Sequence, residues 1–364
     1  MPLITRQGKG SKLTIAEMDC NLLYLEGKSI IIPGAGTGST LRCGNDNIAS
    51  SNFSTVSGGY CNRINTFSTS YSGYYICGNV IGGGSNNLIN SNSSSGYYNV
   101  GGVTISGGAN NTTCSGYYGG YNVIGGGEYN VSSADYSTIS GGRSNIASRD
   151  YSTIGGGYSN TASGGYSMLG GGRNNTTSGF HSTVSGGYQN TASCNYSTVS
   201  GGYNNRSTYA YSTIGGGKSN AASLDFSTVS GGYLNSASGD YSTIGGGRQN
   251  ITNQSFSTVG GGYCNESTSN YATVSGGLRN KAVGSLSSIV GGRCNTSSGE
   301  YSAILGGRNN ISNSCSMIVG NDITADRVCT TFVNNLSIKN IPTSSVGLPS
   351  GSVWRNGTVL EIVI

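Results

Sequence analysis

From Gly126 to Gly306 a Gly-Gly pair begins at every fifteenth residue, without a single insertion. Other columns keep the same register. Asn130, Asn145, Asn160, Asn175, Asn190, Asn205, Asn220, Asn235 and Asn250 form one, which continues to Asn310. Tyr136, Tyr151, Tyr166, Tyr196, Tyr211, Phe226, Tyr241, Phe256, Tyr271 and Tyr301 form an aromatic one, with His181 and Leu286 in its two remaining places. Three residues after each ring stands Ile, Val or Leu, as at Ile154, Ile214 and Ile244, and a small-residue column holds Ala147, Ala162, Ala192, Ala222, Ala237 and Ala282. A fixed period too short for a pair of helices is the length of one β-solenoid coil.

Within such a coil, strand alternation puts Ser152 and Ile154 on one face of the stretch 151–155, and Tyr151 and Thr153 on the other. Residues 160–163 read as a second short strand. Glycines at 155–157 and 164–165 supply the corners, where positive φ or close approach of the next coil is needed. The interior is then Ile154 with Ala162 in one coil, Ile214 with Ala222 in another, and Ile244 and Ala237 in the same columns. Stacked at the inter-strand spacing, the thirteen regular repeats predict a rod on the order of 60 Å long. The asparagines Asn145 to Asn250 and beyond become a ladder whose amides can bond neighbouring coils and a local turn. So thin an interior calls for a second burial surface. The Tyr and Thr columns can provide it if chains pack side by side, most simply as a homotrimer.

Composition narrows the alternatives. The chain has 364 residues with 64 Gly, 4 Pro and 9% charged residues. Doubly wound, TIM-barrel and helical-bundle folds need more large aliphatic side chains than this. Collagen is excluded by the missing Gly-X-Y period, and the 25 Tyr with low charge argue against disorder. The net charge of +5 is spread without a Lys/Arg cluster, so neither nucleic acid nor membrane insertion is expected. No apolar run approaches membrane-helix length, and residues 1–12 are too polar for a signal peptide. Synthesis in a cytoplasm, with release from it by lysis, is therefore the expectation.

The repeat unit resembles a known family. Ser242-Thr243-Ile244-Gly245-Gly246 and Asn235-Ser236-Ala237-Ser238-Gly239 are similar to the head repeats of YadA-type trimeric autotransporter adhesins. That resemblance, over roughly residues 45–320, implies a left-handed parallel β-roll in which three chains intertwine. The Gly-Gly corner and the period of fifteen depart from the commoner fourteen-residue form.

Four segments follow. Residues 1–39 are read as an attachment segment. Thr14 and Glu17 form a capping box, and Ile15, Met18, Leu22 and Leu25 repeat at the spacing of a coiled-coil seam, so a short helix is expected over 11–26. It suits a three-chain bundle or a single plug on the end of the roll. The stretch Gly8-Lys9-Gly10-Ser11-Lys12-Leu13-Thr14-Ile15-Ala16-Glu17-Met18-Asp19-Cys20-Asn21-Leu22 also resembles the segment that opens many bacteriophage tail-fibre and related virion proteins. Residues 40–124 carry the repeat with irregular spacing, where Tyr74-Tyr75, Tyr97-Tyr98 and Tyr117-Tyr118 are read as marking shortened coils. Residues 125–320 are the regular roll. Residues 321–364 are read as a C-terminal cap or tip, and within them the stretch 334–354 resembles terminal segments of phage and large-virus fibres. Within 321–364, Asn356-Gly357, between two apolar runs, predicts a β-hairpin cap. Trp354, the single Trp, and Arg355 are candidates for a receptor-binding tip.

Catalytic chemistry finds no foothold in the sequence. The ten Cys include no Cys-x-x-Cys, and Cys264 and Cys294, which share a column with Cys61, are two coils apart, too far to bridge. They are read as free thiols of a reducing compartment. His181 is the only His and sits in the aromatic column, which leaves no Ser-His-Asp or Cys-His site. Phosphate-loop and calcium-repeat patterns are missing, so no enzyme, cofactor or metal is expected. The expected function is a structural fibre of a virion, tail or capsid. It docks to the baseplate or capsid through its N-terminus and meets a host-surface glycan or protein. A cell-surface adhesin, a self-assembling extracellular filament and an ice-binding solenoid are the alternatives.

Overall fold

The computed structural model describes residues 31–35, 38–42, 46–67, 78–92, 102–114, 120–335, 341–356 and 359–362. The helix expected over 11–26, with Ile15, Met18, Leu22 and Leu25, lies outside them. Among the described residues all regular structure is β, and the chain is a parallel β-solenoid of about 17 coils.

One coil shows how the repeat builds it. Thr153–Ile154 is the first strand, with Ile154 fully buried and Thr153 half-buried. Thr161–Ala162 is the second, with Ala162 fully buried. Ser152 and Asn160 also point inward and are sealed from solvent, while Tyr151 stands exposed. A regular coil therefore encloses one branched aliphatic, one small residue, one Ser and one Asn, with Ala272 in the Ser place of one coil. The first turn, 155–160, follows the first strand, and the second turn follows Ala162, so the two turns form opposite edges of a flattened coil.

The strands stack in register. Ile139 pairs with Ile154, Ile154 with Leu169, and Ala147 with Ala162, each in parallel. The first sheet runs through 20 strands from Ile31–Pro33 to Thr331–Val333; its first pair, Ile31–Pro33 with Thr40–Arg42, is antiparallel. The second sheet is an open ladder from Ile48–Ala49 to Ile311–Ser312, each strand paired to the next. Twenty strands at the standard spacing give a rod on the order of 90 Å long. Its core is a continuous cluster of two adjoining columns, one aliphatic and one mostly of small residues, from Ala49 and Val56 to Ile318 and Ala325.

Hydrogen bonds run both ways along the rod. In the strands, Thr153 N–H donates to Ser167 O of the following coil at 2.9 Å. At the corners, Tyr151 and Ser159 have φ of 58° and 52°, in the left-handed region. This turns their N–H groups back, onto Asp135 O at 3.0 Å and Arg143 O at 2.9 Å of the preceding coil. A bulky residue loses roughly 1–2 kcal/mol in that conformation. Bonding to both neighbours offsets it.

Two boundaries read from the sequence are corrected. Val56 pairs with Ile81, Ile81 with Ile105 and Ile105 with Ile124, so these coils hold 25, 24 and 19 residues. The Tyr-Tyr pairs accompany lengthened coils, the reverse of the shortened ones expected. The second strand lengthens as well, to five residues at Arg63–Phe67 and Leu88–Asn92, and residues 68–77, 93–101 and 115–119, which hold the Tyr-Tyr pairs, lie outside the described set. The roll also continues past Gly320. Ile318 pairs with Phe332, each of the last two steps being 14 residues. At the C-terminal end Val353–Asn356 pairs antiparallel with Val359–Ile362, and the connecting residues 357–358 lie outside the described set.

Candidate interaction surfaces along the rod

The Asn file fixes the geometry of one edge. Asn160 Nδ2 donates to Gly156 O of its own corner at 3.0 Å and to Gly172 O of the next at 2.9 Å. Its Oδ1 accepts the backbone N–H of Asn175 at 3.0 Å. Asn145, Asn175, Asn190, Asn205, Asn220, Asn235 and Asn250 repeat all three bonds, and the side-chain bonds reach forward and to the local corner only. The file starts at Asn47 and survives the long coils through Asn62, Asn87 and Asn111. It ends at Asn310, whose Oδ1 takes the N–H of Ile323. These asparagines are buried scaffold, as are Ile154, Ala162, Ile214, Ala222, Ala237 and Ile244.

The corner that this file supports carries a surface the sequence reading did not single out. One residue per coil there makes a parallel bridge to the next, in the order Arg143, Tyr158, Arg173, Tyr188, Tyr203, Lys218, Tyr233, Arg248, Tyr263. Arg173 lies over the rings of Tyr158 and Tyr188 at 5.3 and 5.6 Å, and Arg248 over Tyr233 and Tyr263 at 5.4 Å each. Lys218 is held in the same way between Tyr203 and Tyr233. Stacking of a cation on an aromatic face contributes about 0.5–1 kcal/mol at exposed sites. Arg293 and Arg308 extend the stripe. No fixed residue type occupies this column, which is why the repeat pattern hides it.

The opposite edge carries the aromatic column. From Tyr121 to Tyr271 eleven rings, His181 among them, stack with centroids 4.5 to 5.3 Å apart. Leu286 interrupts the stack. The rings are about half exposed, 43% for Tyr151 and 50% for Tyr241. Desolvation within the stack pushes the Tyr151 hydroxyl above its ordinary range, with Tyr166, Tyr136, Asp150 and Asp135 adding to the effect. Beside the rings stand Asp135, Asp150, Asp225, Asp240 and Glu300. Asp225 Oδ1 accepts the N–H of Ala210, and Asp150 Oδ1 that of Asp135. One long edge of the roll is thus rich in cations and the other in carboxylates.

At the C-terminal end Trp354 is half-buried opposite Glu361, and Arg355 is exposed, its backbone N–H on Pro342 O at 2.7 Å. The structure gives these two no contact with the candidate residues of the roll. Among the described residues no group of three or more His, Cys, Asp and Glu side chains could hold a metal ion, and no helix is long and apolar enough to cross a membrane. A scan against protein-family models and a search of curated proteins each found no match.

Proposed function

We propose that this chain is the shaft of a virion fibre: a non-catalytic homotrimeric rod that attaches to the particle through residues 1–39 and carries 321–364 outward. The observation that carries the reading is the uninterrupted in-register stack from Thr40 to Val333, which makes a long rod that holds its two ends far apart. The likeness of residues 8–22 to tail-fibre openings, and of the repeat to YadA-type heads, supports the assignment of the ends and the left-handed, three-chain arrangement. Side-by-side packing is further supported by the segregated edges. A cation-rich edge of one chain faces a carboxylate-rich edge of the next in a heterologous ring, which closes at a fixed number of copies. Exposed rings and Ser, Thr and Asn hydroxyls and amides suit glycan faces, and three chains per fibre multiply weak contacts. The strands Val353–Asn356 and Val359–Ile362 act as a hairpin that covers the last coil.

Immunogold labelling with antibody against residues 321–364 tests the reading. Label at the distal ends of virion fibres is expected; label on cell envelopes overturns it in favour of an adhesin. Sedimentation equilibrium is expected to give three times the 37.0 kDa chain mass.

A further inference from the structure

Cys315 and Cys329 occupy successive places in the column that elsewhere holds the stacked rings. Their backbones have the same left-handed φ as those rings, 53° and 54°. Their N–H groups make the same bonds to the coil before, Cys315 to Glu300 O at 2.8 Å and Cys329 to Ser314 O at 3.1 Å. The strands that follow confirm the register, since Met317 pairs with Thr331 and each stands two residues beyond its Cys. Side chains in this column project in one direction, one above another, as the ring separations of 4.5 to 5.3 Å show. The two thiols are therefore on adjacent coils and face each other, and both are exposed. Interaction with the Cys329 side chain pushes the Cys315 thiol above its ordinary range, with burial and Glu300 adding to it.

We propose that Cys315 and Cys329 form an intrachain disulfide when the protein meets an oxidising small-molecule disulfide, tying together the last two coils of the rod. Adjacent coils set the Cα atoms about 4.7–4.9 Å apart, inside the 4.4–6.8 Å range of natural bridges, and the Cβ atoms need to close by a few tenths of an ångström. The exchange is balanced with glutathione disulfide as oxidant. One thiolate of the pair attacks its S–S bond, forms a mixed disulfide and expels one glutathione thiolate. The second Cys thiolate then attacks the protein sulfur and expels the other. Two protein thiols are oxidised to one disulfide, glutathione disulfide is reduced to two thiols, and the two protons pass to the departing thiolates. Among the described residues no other cysteine has such a neighbour one coil away: Cys264 and Cys294 are separated by two coils, Cys194 has Tyr209 and Gly179 on either side in its column, Cys61 lies between Asp46 and Asn86, and Cys114 pairs with Asn90. The bridge closes a loop at the end of the stack, where fraying would otherwise begin.

The test is thiol mapping of the full-length chain, reduced and then equilibrated with glutathione disulfide, alkylated and digested with trypsin. Cleavage after Arg308, Arg327 and Lys339 puts the two cysteines on separate peptides, 309–327 and 328–339. The expected result is one linked species of these two peptides, two hydrogens lighter than their sum, in protein that migrates as a single chain without reductant. Cys264 and Cys294 are expected to carry the alkyl group. In C329S, Cys315 is expected to retain glutathione. Cleavage of the intact protein after Arg327 is expected to be about tenfold slower in the oxidised form. Alkylation of both Cys315 and Cys329, stable glutathione on both, or linkage of either to another chain overturns the proposal.

Discussion

The side-chain oxygen of Asn205 accepts the backbone N–H of Asn220 at 2.9 Å, although 15 residues separate them. Asn220 does the same for Asn235, and its amide also bonds Gly216 O at 2.8 Å and Gly232 O at 2.9 Å. Every one of these partners is backbone at the corner, where the backbones are linked by a single parallel bridge per coil, so the file reinforces the stack between the two sheets.

Asn220→Ala strands the buried N–H of Asn235 and the carbonyl of Gly216, whereas Gly232 O keeps the N–H of Lys218. A loss of at least about 2 kcal/mol is expected, centred on the coils around 205–235. Hydrogen exchange resolved by peptide checks it, because a repeat stack can open locally. Asn220→Asp is expected to be as damaging at pH 7, since a carboxylate would face two carbonyl oxygens. Its folded-state pKa is then raised above the unfolded value near 3.9, so the penalty fades as pH falls towards and below that value. Equal protection at pH 7 and pH 4 in this variant, after correction for the intrinsic exchange rates, would contradict the assigned geometry.

Two neighbouring glycines separate conformational need from sequence habit. A Cβ on Gly217, at φ +84°, would lie 2.2 Å from Gly232 O and 2.7 Å from Asn220 Nδ2, whereas one on Gly231 meets nothing within 4 Å. Gly217→Ala is expected to cost more than about 2 kcal/mol and Gly231→Ala to stay within about 0.5 kcal/mol. Thermal unfolding followed by circular dichroism distinguishes them; similar midpoints for the two variants would show the corner to be misplaced.

In the aromatic column, Tyr241 stacks between Phe226 at 4.7 Å and Phe256 at 5.0 Å. Tyr241→Phe is expected to be near neutral. Tyr241→Ala loses two ring contacts of about 0.5–1.5 kcal/mol each. Tyr241→Gly loses the same contacts but relieves the left-handed backbone, and is expected to be the milder of the two by about 1 kcal/mol. Finding Gly worse than Ala in denaturant titration would mean that the ring does not sit at positive φ.

The small-residue column offers an opposite-sign pair. Thr252 is fully buried and its hydroxyl has no partner, whereas Ser267 Oγ donates to Ala272 O at 2.7 Å. Thr252→Val is expected to stabilise by about 1 kcal/mol, and Ser267→Ala to destabilise by about the same. The check is the shift in unfolding midpoint, and a loss in the first variant would place a polar partner beside Thr252.

Much of this architecture can be read from the period alone. Ile154, Ala162 and Asn160 recur at one spacing, and a repeating coil has few ways to bury such columns. Less legible was the backbone at Tyr151 and Ser159. Left-handed φ at an aromatic residue runs against local preference, and only bonds to the previous coil make it stable. The Arg–Tyr stripe was hidden because its column alternates residue types, and its logic is pairwise contact between Arg173 and the rings on either side. Cys315 and Cys329 escaped notice because the last two steps shorten to 14 residues, which moves both out of the fifteen-residue columns. The lengthened coils were misjudged for a related reason: chain added between successive first strands leaves Val56, Ile81 and Ile105 stacked and disturbs only the count between them.

The most direct measurement is a pair of pulsed electron–electron distances. Spin labels are introduced as a non-natural amino acid at exposed Ser140 paired with Ser200, and at Ser140 paired with Ser275, and the labelled chains are diluted with unlabelled protein. The first pair is four coils apart and the second nine, so distances of about 19 and about 43 Å are expected at the coil spacing. Two similar distances, or a second distance that fails to grow in proportion to the number of coils, would contradict a rod of coils stacked one upon the next.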